Sequence, residues 1–282
     1  VAKEAQRLLL KRFSRTEDVE EWGRGALALK AAAARTRSHP TFNRKLPPTL
    51  PQLAAETARL LDLDASSRAV RPGYEIISEG RRCPGLFLIT DGIAIRYRIL
   101  RDGQRQILNF LLPGDFAGVT SCRFENALYS VKTLTDAALS PIPLSKLVGL
   151  LDSQPLLAAK LFWSFASESA ILAEHLIAVG RRSATERVAH LLLELLTRLQ
   201  LVGLADERSY HLPLTQEMIG DALGLSIPYV NRVLQQLRQD GLVTIKEQFV
   251  VIENMGELAA LADFEHTYLR PLSIAEFMAE AD

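Results

Sequence analysis

The chain has 282 residues with 33 Lys/Arg against 33 Asp/Glu, so its formal net charge is zero and only a locally basic surface can hold a phosphate backbone. Hydrophobic residues make up 48% and charged residues 23%, a composition that suits a globular protein of two modest domains and argues against a disordered or fibrous chain. Two cysteines, Cys83 and Cys122, supply neither a disulfide framework nor a four-cysteine metal site within one chain, so no cofactor is expected. Two thiols and the lack of an apolar signal core near the start point to a reducing cytoplasm. The most apolar stretch, 156–179, contains Lys160, Glu168, Glu174 and His175, and so predicts a buried or partner-facing helix rather than a membrane span.

Residues 1–48 stand apart, with eleven Lys/Arg against five Asp/Glu, and end at Pro47-Pro48. They are either a basic arm that touches DNA or an extension without a part in the working protein. A short helix is expected over 50–64. From about Val70 the texture changes to short strands, over 74–78, 86–90, 93–99 and 105–111, separated by glycine-containing turns. Ile93, Ile95, Tyr97 and Ile99 alternate with Arg96 and Arg98, which predicts isoleucines and tyrosine inward and arginines outward. Asp102-Gly103 between two apolar runs is a hairpin signal. Strand character continues over 131–135 and 138–143, which makes an antiparallel sandwich or barrel.

Helices follow. A short one is expected over 144–151, then a long one from about Pro155 to Gly180. Leu161, Phe165, Leu172, Leu176 and Val179 lie on it at helical spacing, interrupted by Glu168. This stripe packs either against the chain's own strands or against a second subunit. Ser183-Ala-Thr-Glu186 is a capping box ahead of a leucine-rich helix over 187–199.

Residues 214–241 form two helices about a tight turn. Thr215 caps the first, beside Gln216 and Glu217, and Gly224 supplies the turn. Ser226 caps the second, with Pro228 tolerated in its first turn. At about 100° per residue, Val230, Val233, Leu234 and Leu237 fall on one side. Pro228, Arg232, Gln235 and Gln239 fall opposite, with Tyr229 and Asn231 on the shoulders. Segments 242–245 and 249–252 then make a two-stranded wing. A solvated helical hairpin would also have a polar face. It would not need the second cap, the glycine turn and the wing together, so double-stranded DNA is the expected partner. Residues 181–253 carry eight Lys/Arg and nine Asp/Glu, so non-specific affinity is expected to be modest. His39, His175, His190, His211 and His266 fall in no catalytic pattern, and an enzyme is not expected.

The order of β-roll, long helix and winged helix-turn-helix resembles the Crp/Fnr family over roughly 50–269. The resemblance is most specific at Ala184-Thr-Glu-Arg-Val-Ala189, over 214–242, and at Leu112-Pro-Gly-Asp-Phe116 in the roll. It implies an α+β fold with an N-terminal antiparallel, jelly-roll-like β-roll, a long dimerisation helix and a C-terminal winged helix-turn-helix. The corresponding domains are 1–48 (basic extension), 49–151 (roll), 152–182 (connecting helix), 183–260 (DNA-binding domain) and 261–282 (tail). It also implies a homodimer joined along the long helix, RNA polymerase as a further partner, and a signal from the roll that repositions the recognition helices. The base-contacting positions become Ile227, Pro228 and Arg232, of which Ile227 and Pro228 depart from the charged residues of the best-known members. An effector site would fall at Gly114, Asp115, Phe116, Ala127 and Leu128. Where cyclic-AMP-binding members carry an Arg-Ser pair this chain has Ala127-Leu128, so that nucleotide is not expected, and Arg123 is the nearby cation. Oxygen-sensing members use N-terminal cysteines, and residues 1–82 have none. The alternatives are a cyclic-nucleotide-responsive regulator, or a non-DNA-binding sensor or scaffold.

Overall fold

Short apolar runs cut by turns fold into eight strands in the computed structural model, which describes residues 67–153 and 155–270. The basic segment 1–48, the helix expected over 50–64 and the end of the tail lie outside the described residues. The strands are β1 (Arg68–Val70), β2 (Glu75–Ile77), β3 (Gly85–Asp91), β4 (Ala94–Ile99), β5 (Arg105–Leu111), β6 (Phe116–Ala117), β7 (Ser130–Thr133) and β8 (Ala137–Pro143). They pair antiparallel in two four-stranded sheets, β1-β8-β3-β6 and β2-β7-β4-β5. Ile77, Ile89, Ala94, Leu111, Val131 and Leu139 share one apolar cluster of the roll. The expected hairpin joins β4 to β5, and the Asp102 carboxylate accepts from the Gln104 N–H at 3.0 Å to hold it.

The alternation predicted for β4 is only partly realised. Ile93, Ile95 and Tyr97 are buried, but Ile99 is exposed at the hairpin end and Arg96 is buried. The reason is that the second sheet is covered on both faces. Ile93, Ile95, Tyr97, Ile107, Phe110 and Leu112 share one apolar core with the C-terminal helices, while Ala94 and Leu111 belong to the roll's own cluster. Pairing with β5 also shifts register between Arg96 and Tyr97. Arg96 is ion-paired with Glu168, and its guanidinium lies 5.5 Å from the centre of the Tyr129 ring.

Six helices follow: α1 (Leu144–Ser153), α2 (Pro155–Arg181), α3 (Ala184–Leu201), α4 (Gln216–Leu223), α5 (Ile227–Gln239) and α6 (Met255–Ala262). Between them lie β9 (Ser209–His211), β10 (Val243–Lys246) and β11 (Phe249–Ile252), paired in the order β10-β11-β9. A 3-10 turn, His266–Leu269, closes the described chain. The capping box opens α3 as expected. The Ser183 N–H donates to Glu186 Oε2 at 2.7 Å, and the Glu186 N–H to Ser183 Oγ at 3.4 Å. Every residue of α3 from 188 to 199 is buried, polar ones included, because α2, α5, α6, the 3-10 turn and the roll surround it.

Burial of charge requires partners, and α3 finds them on several elements. Arg198 donates to the Phe110 carbonyl at 2.6 Å and to Asn109 Oδ1 at 3.0 Å, and pairs with Asp115 and Glu194 at 3.3 Å each. Glu194 lies 2.9 Å from His175 Nε2 and accepts from the Tyr268 hydroxyl at 3.2 Å. Burial would raise the Glu194 carboxyl, but His175, Arg198 and His190 override it and hold it at about 2. His190 is buried between Phe264 and Tyr268, with ring centroids 5.1 and 6.1 Å away. Burial, and then the nearby Arg182, push its imidazole from 6.5 down to about 4.

Both shifts bear on acid stability. Between about pH 6.5 and 4 the unfolded chain protonates His190 and the folded chain does not, so stability falls as the pH falls through that window. The stabilisation from ionised Glu194 is present above its ordinary 4.5 and is lost as the pH falls towards about 2. Urea unfolding at pH 7 and pH 5 is expected to show lower stability at pH 5, with each such group contributing at most about 1.4 kcal/mol per pH unit. His190→Gln is expected to flatten that difference, and an unchanged slope in the variant would contradict the assignment.

Candidate nucleic-acid interface

Local chemistry builds the helix-turn-helix residue by residue. Thr215 caps α4 by accepting the Met218 N–H on its hydroxyl at 3.1 Å. Gly224 ends that helix at φ 65°, a conformation that costs glycine little. A side chain on Gly220 would come within 2.5 Å of the Leu225 carbonyl, so the absence of one lets the turn close against α4. Ser226 stands at the cap of α5 with extended backbone, as expected, but its hydroxyl makes no capping bond. Its carbonyl accepts from the Tyr229 and Val230 N–H groups instead, at 2.9 and 3.0 Å.

Val230, Val233 and Leu237 of α5 are buried and Leu234 is half-buried, while Pro228, Arg232, Gln235 and Gln239 are exposed. The predicted outer face is therefore solvent-facing in the single chain. Ile227 is 51% exposed and Tyr229 40%. Two contacts order this face. The Asn231 amide donates to Gln216 Oε1 at 3.1 Å, tying α5 to the start of α4. The Arg232 guanidinium lies 5.4 Å from the centre of the Tyr229 ring. In the wing, β10 and β11 are joined through Glu247 and Gln248, both left-handed at φ 51° and 66°. That is the two-residue turn that matches strand twist, built here without glycine.

Sequence reasoning missed three features that place this interface. A third wing strand, β9, carries Tyr210, which is buried with its hydroxyl donating to the Leu192 carbonyl at 3.2 Å. Its signal was a three-residue run with one apolar position. Arg105 of the roll donates to Asp221 of α4 at 2.6 Å and to Glu217 at 3.4 Å, and Gln106 to the Ala222 carbonyl at 3.2 Å. The first helix of the motif thus docks on β5. The third feature is the set of buried partners of Arg198. Its readable sign was the Glu194–Arg198 pair, four residues apart within a run of leucines.

The five residues proposed to face an effector do not gather in one cluster. Gly114 donates to the Ile89 carbonyl at 2.8 Å. Asp115 accepts from the Leu112 N–H at 2.8 Å and pairs with Arg198. Phe116 is buried with Leu86, Leu88 and Ile142, Ala127 is buried in the other roll cluster, and Leu128 is exposed. The cations beside the Asp115 turn are Arg198 and Arg96, both buried.

On α2 the expected stripe needs one correction. Leu161 packs against Leu86, Leu88, Phe116 and Ile142 of the roll, because the helix lies on the first sheet at that point. Phe162 is 67% exposed in its place, and Phe165, Leu172, Leu176 and Val179 are exposed as well. With Ser169, these residues are spaced 3, 4, 3, 4 and 3 apart, a heptad seam. Glu168 does not interrupt it, since it turns inward to Arg96.

Two family models match: a cyclic nucleotide-binding domain over residues 67–154 and a Crp-like helix-turn-helix domain over 186–261. The nitrogen fixation regulation protein FixK of Bradyrhizobium diazoefficiens is 29% identical over 211 residues, 73% of this chain and 87% of that one. The fumarate and nitrate reduction regulatory protein of Salmonella typhimurium is 25% identical over 207 residues, 73% and 82% of the two chains. The solved structure of FixK2 from Bradyrhizobium japonicum superposes with a TM-score of 0.62 at 30% identity, covering 69% of this chain and 96% of that one. Among the described residues no helix is long and apolar enough to cross a membrane. With both domain models matched in this chain and the FixK2 structure superposing on it, the chain belongs to the Crp/Fnr family as a DNA-binding transcription regulator.

Proposed function

We propose that the protein works as a homodimer in the cytoplasm, reading a two-part DNA site with one α5 per half-site. The observation that carries the reading is the exposed apolar seam Phe162, Phe165, Leu172, Leu176 and Val179 on α2, beside an α5 whose polar face is open. Exposed leucine and phenylalanine at heptad spacing are stable in water when a second helix covers them. A dimer also doubles the phosphate contacts of a module that is not basic overall. Arg232 is the base reader, one turn beyond Pro228, where its guanidinium reaches O6 and N7 of a guanine together. Thr215, Gln216, Ser226, Asn231 and Gln235 contribute phosphate or adenine contacts. The roll's effector is not cyclic AMP, because Ala127 is packed in the roll and Leu128 has no group for a phosphate.

Sedimentation at micromolar concentration is expected to give a dimer for the wild type and a monomer for Leu172→Glu with Leu176→Glu, which places charge in the seam. A monomeric wild type would refute the dimer. Binding-site selection is expected to show that Arg232→Ala costs about 1–3 kcal/mol at the specific site and relaxes one base pair per half-site. Uniformly weaker binding with unchanged base preference would make Arg232 a phosphate contact instead. Calorimetry with cyclic AMP is expected to show no micromolar binding.

A further inference from the structure

The first turn of α5 presents three consecutive exposed side chains that are hydrocarbon or ring: Ile227, Pro228 and Tyr229. The apolar core beneath them is complete without them. Val230, Val233 and Leu237 fill it, with Ile219, Ala222 and Leu223 from α4. Ile227 is 51% exposed, and neither it nor Pro228 has a side-chain group that can hydrogen-bond a base or a phosphate. Tyr229 lies under the Arg232 guanidinium, so its ring is already committed to orienting that cation. An exposed apolar tip on a helix that enters a major groove needs an apolar partner there. The apolar group on a major-groove base edge is the C5 methyl of thymine.

We propose that Ile227 and Pro228 read thymine through its methyl group, beside the guanine read by Arg232. The inference rests on the reading that α5 enters the major groove. Pro228 and Arg232 are four residues apart on one face, about 6 Å along the helix axis, so the two bases lie within about two base pairs of each other. Specificity at these positions is then carried by shape and desolvation, and it recognises thymine by its C5 methyl.

The test uses the full chain and its selected operator, with each thymine replaced in turn by deoxyuridine, which keeps the base pair and removes the methyl. At one or two positions per half-site affinity is expected to fall about three- to fivefold, the worth of one buried methyl. Ile227→Ala and Pro228→Ala, each first shown by circular dichroism and by unchanged binding to random DNA to be folded, are expected to weaken the thymine operator and abolish the loss at its matching position. Indifference of the wild type to every uracil, with tight operator binding, would overturn the proposal. So would uracil sensitivity that persists undiminished in both variants. A wild type that selects no sequence at all would overturn the groove reading, and this inference with it.

Discussion

Arg198 is the group on which the arrangement of roll and reading head depends. It sits on the hub helix α3, fully enclosed, and spends its donors on a roll carbonyl, a roll amide and two carboxylates from different elements. A buried guanidinium is stable only where its partners stand in a fixed geometry, and removing one leaves the others exposed to a desolvation penalty of about 3–5 kcal/mol. The pair therefore selects one orientation of α3 on β5 rather than adding much net stability. The buried face of α5 packs in the same core as α3. α3, which carries Arg198, is thus joined to the recognition helix through one continuous core.

Much of the reading head was legible because its determinants are local. Thr215, Gly224, Ser183 with Glu186, and the 100° spacing of Val230, Val233 and Leu237 each act within a few residues of themselves. Six of the roll's eight strands were legible for the same reason, to within a residue or two at their ends, whereas β1 and β6, only three and two residues long, were not. What failed was the side of an element that meets water wherever a distant element covers it. Arg96 reads as an outward residue on an amphipathic strand, but its sheet is covered twice, and the second cover comes from helices about 100 residues later. Leu161 and Phe162 are adjacent and equally apolar, and only the position of the roll decides which of them turns inward.

The candidate site shows the same division. The outer face of α5 could be listed from periodicity, but its internal order could not. Gln216 reaches Asn231 across a turn, and Tyr229 lies beneath Arg232. Such contacts depend on rotamers and on the angle between two helices, which no one-dimensional pattern contains. The roll is the weakest case, since a pocket needs surfaces from distant strands. The residues carried over from the family instead went to separate structural duties: a turn hydrogen bond, an ion pair and two apolar clusters.

Arg105 also alters the electrostatics of the module it touches. Residues 181–253 hold nine acidic and eight basic side chains, a poor balance for approaching a polyanion. Two of the acidic ones, Asp221 and Glu217, lie on the first helix of the motif and face a roll arginine, Asp221 from a half-buried position at 2.6 Å. While α4 is docked, much of that negative charge is offset from outside the module. Without the roll arginine, that charge would stand unpaired on the module that meets phosphate. By linkage, any difference in duplex affinity between docked and undocked α4 would be matched by an equal effect of the duplex on docking.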